Sequence, residues 1–352
     1  MKIAQIAPLY EAVPPRLYGG TERVVGTLAN SLTDLGHDVT LFASADSISR
    51  ARLVPSRDQA LRLDPDPLKS DIASHLSMLD ELRRRAGEFD VLHFHTDLLH
   101  FPFFERHADR TLTTLHGRLD LKDLSEAYRR WIEYPLVSIS HAQRLPLNQA
   151  NWFGNVYHGL DPVIFTPPAN PAGDYLAFLG RIAPEKGPER AIAIARRAGM
   201  KLKIAAKVDA ADRAYFEREI APLIDDDPLI EFVGEIGDAD KSTFLGNARA
   251  LLFPIDWPEP FGLVMIEAMA CGTPVIAWRR GSVPEVIEHG VTGMITEGID
   301  EAVAGIPAIG ALDRRAIRGV FERRFSARAM AQGYVALYEK LLDARERIEV
   351  AA

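Results

Sequence analysis

Gly159-Leu-Asp-Pro-Val-Ile-Phe-Thr-Pro-Pro-Ala-Asn-Pro-Ala-Gly173 breaks an otherwise regular chain. Its four prolines and two glycines suit neither a helix nor a strand, and mark a linker between domains. Upstream, short apolar runs alternate with helical patterns: strands are expected at 2–7, 38–43, 90–95, 111–116, 137–140 and 156–158. The clearest helix lies between the first two, over 21–35, with Val24, Val25, Leu28, Leu32 and Leu35 at helical spacing and Gly36 as its stop. Downstream a second series begins, with strands at 175–179, 202–206, 230–233, 250–254, 274–278 and 293–296. Helices are expected at 188–198, 211–224, 241–248, 261–270 and 283–289, and the tail from about Asp313 reads as two more. Nearly all-apolar strands alternating with helices imply parallel sheets covered on both faces. The predicted fold is α/β: two doubly wound domains, 1–165 and 174–329. Sites in such sheets lie at the carboxyl ends of strands, and the principal site is expected in a cleft between the domains.

At 352 residues, 47% hydrophobic and 26% charged, the chain has the size and composition of a two-domain globular protein. Residues 1–165 carry 18 basic against 21 acidic side chains and the remainder 23 against 28, so neither half has the basic excess of a nucleic-acid binder. The lone Cys271, in an Ala-Met-Ala-Cys-Gly run, reads as a buried thiol in a reducing compartment. The first residues read as a strand and not as a signal peptide, and no apolar run approaches the ~18 residues of a membrane span. Cytoplasmic location is expected. Peripheral membrane attachment stays open, with no strongly basic amphipathic helix to argue for it.

The chemistry concentrates in Glu259-Pro-Phe-Gly-Leu-Val-Met-Ile-Glu267. A carboxylate stands on each side of a turn opening into an apolar helix. At a rise of ~1.5 Å per residue the two would lie very roughly 12 Å apart, about the span from ribose to sugar in an extended nucleotide-sugar. Between them the N–H groups of Phe261, Gly262 and Leu263 would welcome an anion. Gly180-Arg181-Ile-Ala-Pro-Glu-Lys186-Gly187 follows the first strand of the second domain, so Arg181 and Lys186 can converge on a diphosphate from the strand's end. Asp64-x-Asp66 and Asp238-x-Asp240 match the carboxylate pair of metal-dependent transferases, but a loop and a helix cap account for them. Gly19-Gly20 before the first helix would let backbone approach a phosphate closely, or form an ordinary turn; it lacks the dinucleotide fingerprint's spacing. His116 ends a strand and should face the cleft. His93 and His95 share a strand face and could ligate a metal; the preferred reading places His95 or Asp97 on the acceptor side.

Together these motifs resemble glycosyltransferase family 4, retaining and metal-independent enzymes of the GT-B double-Rossmann fold. The likeness runs from Gly19-Gly-Thr-Glu22, through Leu35-Gly-His-Asp-Val-Thr40, Ser138-Ile-Ser140, His158-Gly-Leu-Asp161 and Arg181-x4-Lys186, to Phe232-Val-Gly-Glu-Ile236 and Glu259-x7-Glu267. The resemblance implies that Arg181 and Lys186 stabilise the diphosphate leaving group, that Glu267 takes the ribose hydroxyls, and that Glu259 and His116 contact the donor sugar. Gly19 and Gly20 would approach the diphosphate, Ile236 would meet the base, and the amides of Phe261, Gly262 and Leu263 the phosphates. Loop 9–19 with Tyr18, and His95, Asp97 and Arg118, would face the acceptor. A helix at about 330–352 would return to the first domain. No metal or other cofactor is expected. The partners are a nucleotide-sugar, UDP-hexose by family frequency with GDP-, ADP- and dTDP-sugars open, and a hydroxyl acceptor such as a sugar, glycan or small metabolite. The alternatives are a nucleotide-sugar 2-epimerase, which would release nucleotide without an acceptor product, and an inactive nucleotide-sugar-binding protein, which would consume no donor.

Overall fold

The computed structural model describes residues 1–16, 19–66, 70–225 and 227–351, the side chains of 348–351 excepted. The chain divides into two compact units, Met1–Gly159 with Ala327–Ala352, and Leu160–Ser326. Among the described residues the first unit holds a seven-stranded sheet of β1 (Lys2–Ile6), β2 (Asp38–Ala43), β3 (Arg52–Pro55), β4 (Val91–Phe94), β5 (Thr111–Thr114), β6 (Leu136–Ser138) and β7 (Trp152–Asn155). Every pairing is parallel, in the order β3-β2-β1-β4-β5-β6-β7. The second holds six parallel strands, β8 (Tyr175–Arg181), β9 (Lys201–Lys207), β10 (Ile230–Gly234), β11 (Ala250–Phe253), β12 (Val275–Trp278) and β13 (Gly293–Thr296), ordered β10-β9-β8-β11-β12-β13. In each sheet the order reverses once, between β1 and β4 and between β8 and β11. Crevices open beyond the carboxyl ends of strands at such reversals.

The central strands are apolar on both faces because helices cover both. Ile6, Phe42, Leu92 and Phe94 join Leu79, Leu82 and Phe101 in the first core; Phe178, Ile204, Leu252 and Ile276 join Ile192, Ala195 and Ile306 in the second. Helix Gly20–Asp34 buries Val24, Val25, Leu28 and Leu32. The closing helix, Ala327–Ala351, belongs to the first unit, where the buried Tyr334 and Tyr338 reach β1, β4 and β5.

Several expected elements differ. The last strand of the first sheet is Trp152–Asn155, not 156–158. Edge strand Arg52–Pro55 is short, with only Leu53 and Val54 part-buried, too brief an apolar run to stand out as a strand. Helix Ile72–Arg85 falls where a helical pattern is expected without fixed bounds, and Ile299–Ile309 was not anticipated, hidden behind its internal Pro307 and Gly305. Segment 211–224 is no uniform helix but a succession of short 3-10, α and π turns.

Candidate active site

Strand β8 ends at Arg181, and a tight turn over Pro184–Lys186 carries Lys186 toward the end of β11. There the chain leaves Phe253 and runs through Trp257 to Glu259. Lys186 Nζ forms a close ion pair with Glu259 Oε2, which also accepts from Trp257 Nε1 at 3.0 Å. The ammonium lies 4.7 Å from the Trp257 ring centre. Two motifs 73 residues apart thus meet at the reversal of the second sheet. Arg190 fastens the turn, donating to the Pro184 carbonyl (3.1 Å) and the Pro254 carbonyl (2.8 Å).

Arg181 sits among carboxylates, 2.7 Å from Glu185, 3.8 Å from Asp209 and 3.6 Å from Asp212. A diphosphate arriving here competes with these acids for the guanidinium. Glu267, almost fully buried, pairs with Lys241 at 2.8 Å, and Lys241 also lies 3.3 Å from Asp238. That pairing gives Asp238 a structural partner, as Arg57 does for Asp64 at 2.5 Å.

The turn between the two glutamates corrects one expectation. Helix Leu263–Ala270 begins only after Gly262, whose φ of 78° lies in the left-handed region that glycine tolerates. Only the stretch from Leu263 onward is helical, so a rise-per-residue distance does not apply from Glu259 to Glu267. In the first turn Met265 N–H donates to the Gly262 carbonyl at 3.0 Å, while the amides of Leu263 and Val264 have no helical carbonyl one turn back to donate to. Gly281 and Ser282 cradle the turn from the neighbouring strand's end. Ser282 N–H donates to the Glu259 carbonyl at 3.0 Å and its hydroxyl to that of Phe261 at 2.8 Å. A Cβ on Gly281 would come within 2.3 Å of the Glu259 carbonyl oxygen. Ile236 lies half-buried just past β10. Cys271 is buried, and burial with the nearby Glu267 charge pushes its thiol up to about 12, which suits packing and not nucleophilic attack.

In the first unit His95 stands one residue beyond the end of β4 and His116 two beyond the end of β5, and they touch: His95 Nδ1 is 2.8 Å from His116 Nε2. Burial lowers His116 to about 3, so its imidazole is neutral. His158 stacks on it, ring centres 5.2 Å apart. His95 is buried, with its other nitrogen on Gln5 Oε1 at 2.8 Å. Both its ring nitrogens are thus taken by neighbours within the first unit. His93 is likewise committed, to Thr114 at 2.7 Å and Tyr338 at 2.7 Å. Asp97 is exposed, with a left-handed φ of 49°. Arg118 forms a bidentate pair with Asp120 at 2.7 and 2.8 Å. Gly19 precedes the first helix, packed closely against Pro15, and Gly20 opens it; Tyr18 lies outside the described residues. Sequence reasoning missed Gln5, Lys241, Trp257 and Gly281. Of these Trp257, two residues from Glu259, and Lys241, next to Asp240, stood near enough to a motif to be suspected.

Residues 164–307 match the glycosyl transferases group 1, and residues 18–145 match glycosyltransferase family 4. The chain is a glycosyltransferase of the family 4 type, with a GT-B α/β fold of two parallel-sheet domains. It is similar to the D-inositol 3-phosphate glycosyltransferase of Mycolicibacterium smegmatis, 26% identical over 80% of this chain and 76% of that one. Two solved structures share the fold. Sucrose-phosphate synthase from Thermosynechococcus elongatus has a TM-score of 0.76 at 19% identity, covering 98% of this chain and 100% of the other. Anabaena Alr3699/HepE in complex with UDP and glucose has a TM-score of 0.71 at 19% identity, covering 96% and 98%. No helix among the described residues is long and apolar enough to cross a membrane.

Proposed function

We propose that this glycosyltransferase is retaining and metal-independent, moving a hexosyl unit from a UDP-sugar to a hydroxyl of a sugar, glycan or small metabolite. The observation that carries the reading is the meeting of Lys186 with Glu259 beside the amino end of helix Leu263–Ala270. It sets a cation, a hydroxyl-binding carboxylate and helix-start N–H groups together, the complement of a sugar diphosphate. Arg181 and Lys186 take up the negative charge that develops as the bond from the anomeric carbon to the diphosphate oxygen breaks. The acceptor hydroxyl forms its new bond on the same face and passes its proton to the departing diphosphate, so configuration is retained. Fixed charges aimed at the leaving group carry most of the acceleration. Glu267 takes the ribose hydroxyls, Ile236 the base, Gly19 and Gly20 the diphosphate, and His116 a hydroxyl of the sugar. Loop 9–19, Asp97 and Arg118 face the acceptor. The UDP and glucose bound by HepE support the donor, and the D-inositol 3-phosphate relatives support a small polyol acceptor.

The test is a melting-temperature panel of UDP-, GDP-, ADP- and dTDP-sugars, since binding to the native state raises the midpoint with affinity. The sugar that stabilises is then supplied with candidate acceptors, and the product anomer is read by NMR with and without chelator. An inverted product, or loss of activity on chelation restored by a divalent ion, refutes the scheme.

A further inference from the structure

A buried polar chain crosses the first unit beneath His116. Gln5, on β1, is fully enclosed. Its amide nitrogen donates to the Tyr338 hydroxyl at 2.9 Å and lies 3.2 Å from His93 Nδ1. Its carbonyl oxygen, an acceptor only, is 2.8 Å from His95 Nε2, so His95 carries its proton there. The Nδ1 of neutral His95 is then a bare acceptor, and the nitrogen facing it at 2.8 Å, His116 Nε2, must be the one that donates. This consumes the single N–H of neutral His116. Its Nδ1 is left as a lone pair, enclosed and without a partner among the described residues. The neighbouring Thr96 hydroxyl, two residues past the end of β4, is enclosed and unpartnered too. Buried polar atoms without partners are uncommon and call for an explanation.

We infer that Gln5 is a positioning residue: acting through His95, it sets the tautomer of His116 and reserves His116 Nδ1 as acceptor for a hydroxyl of the donor sugar. The inference rests on the proposed function, since it takes the sugar as the hydroxyl's source. An acceptor fixed in advance costs no reorganisation when the sugar arrives, whereas the other tautomer would present an N–H to the same hydroxyl.

Two-bond proton–nitrogen NMR of the full-length chain reads the tautomers directly, with His116→Gln assigning that ring. The expected result is a proton on Nε2 of both His95 and His116, and a change at His116 Nδ1 alone when UDP-glucose is added. A proton on His116 Nδ1 in the free protein overturns the relay. A bare Nδ1 that no stabilising nucleotide-sugar perturbs leaves the relay standing and sinks the sugar contact, which separates the two failures. Gln5→Met should convert His116 to a mixture of tautomers and lower kcat about tenfold with donor KM little changed, the loss of one neutral hydrogen bond in the transition state. Retention of a single tautomer in Gln5→Met also overturns the relay. Should that variant fail to fold, the wild-type spectrum decides.

Discussion

Acidification should loosen one half of this protein and spare the other. Nine of the ten histidines fall in the first unit, and His289 alone falls in Leu160–Ser326. His93, His95, His100 and His158 are at most 4% exposed, and burial holds each well below the usual imidazole range. The sign follows from linkage. A folded-state pKa below the unfolded one means the unfolded chain binds protons that the native chain refuses. The stability is therefore fully present above pH ~6.5 and drains away as pH falls below it. Between pH 7.5 and 5.5 each such histidine shifts the balance by a little over 1 kcal/mol, about 5 kcal/mol for the four. That is comparable to the whole stability of a typical domain, ~5–15 kcal/mol.

Hydrogen exchange resolved by peptide mass spectrometry, corrected for the intrinsic effect of pH, measures this unit by unit. Amides of β4 and β5 should lose protection across that range while those of β11 and β12 keep theirs. Most carboxylates barely titrate in this window. Asp97, its carboxyl pushed up to about 6 by desolvation, takes up its proton in the native state and opposes the histidines, offsetting part of their effect and not reversing it. Equal loss in both sheets, or none in the first, would refute the reasoning, because the protons would then be going elsewhere.

Substitutions at three positions probe the second unit. Lys186→Ala should cut kcat by about 100-fold or more with nucleotide affinity far less affected, since its charge acts on the departing diphosphate; unchanged turnover in steady-state assays removes it from the chemistry. Glu267→Ala should chiefly weaken donor binding, read by calorimetry, and Glu267→Gln separates the lost carboxylate from the Lys241 left without its partner. Gly281→Ala places a Cβ against the Glu259 carbonyl at a φ of 50°. It should cost about 1–3 kcal/mol in urea unfolding and lower turnover by moving Glu259; a neutral result would mean the Glu259 turn is not held from that side.

The α/β architecture was legible because a parallel sheet buried on both faces writes itself as short apolar runs. Asp38–Ala43 and Gly293–Thr296 can be bounded from composition alone for that reason. Arg52–Pro55 could not, being a four-residue edge with only two part-buried apolar side chains. The charged motifs were legible as residue types but not as partners. Nothing local to Arg181 says that Asp209 and Asp212 will surround it, and nothing near Glu267 points to Lys241, 26 residues away. Gln5 was invisible because an apolar strand with one polar residue reads as a strand. Its meaning depends on His95 and Tyr338, which approach from 90 and 333 residues away.

That last separation bears on how the polypeptide is made. Residues 1–159 leave the ribosome lacking the tyrosine hydroxyls that complete the pairing of Gln5, His93 and Thr114, which arrive only after the whole of Leu160–Ser326 has been made. The later-encoded Leu160–Ser326 is contiguous and has no such wait. Maturation should therefore run backwards relative to synthesis, Leu160–Ser326 consolidating while the first unit stands open until the helix Ala327–Ala351 emerges.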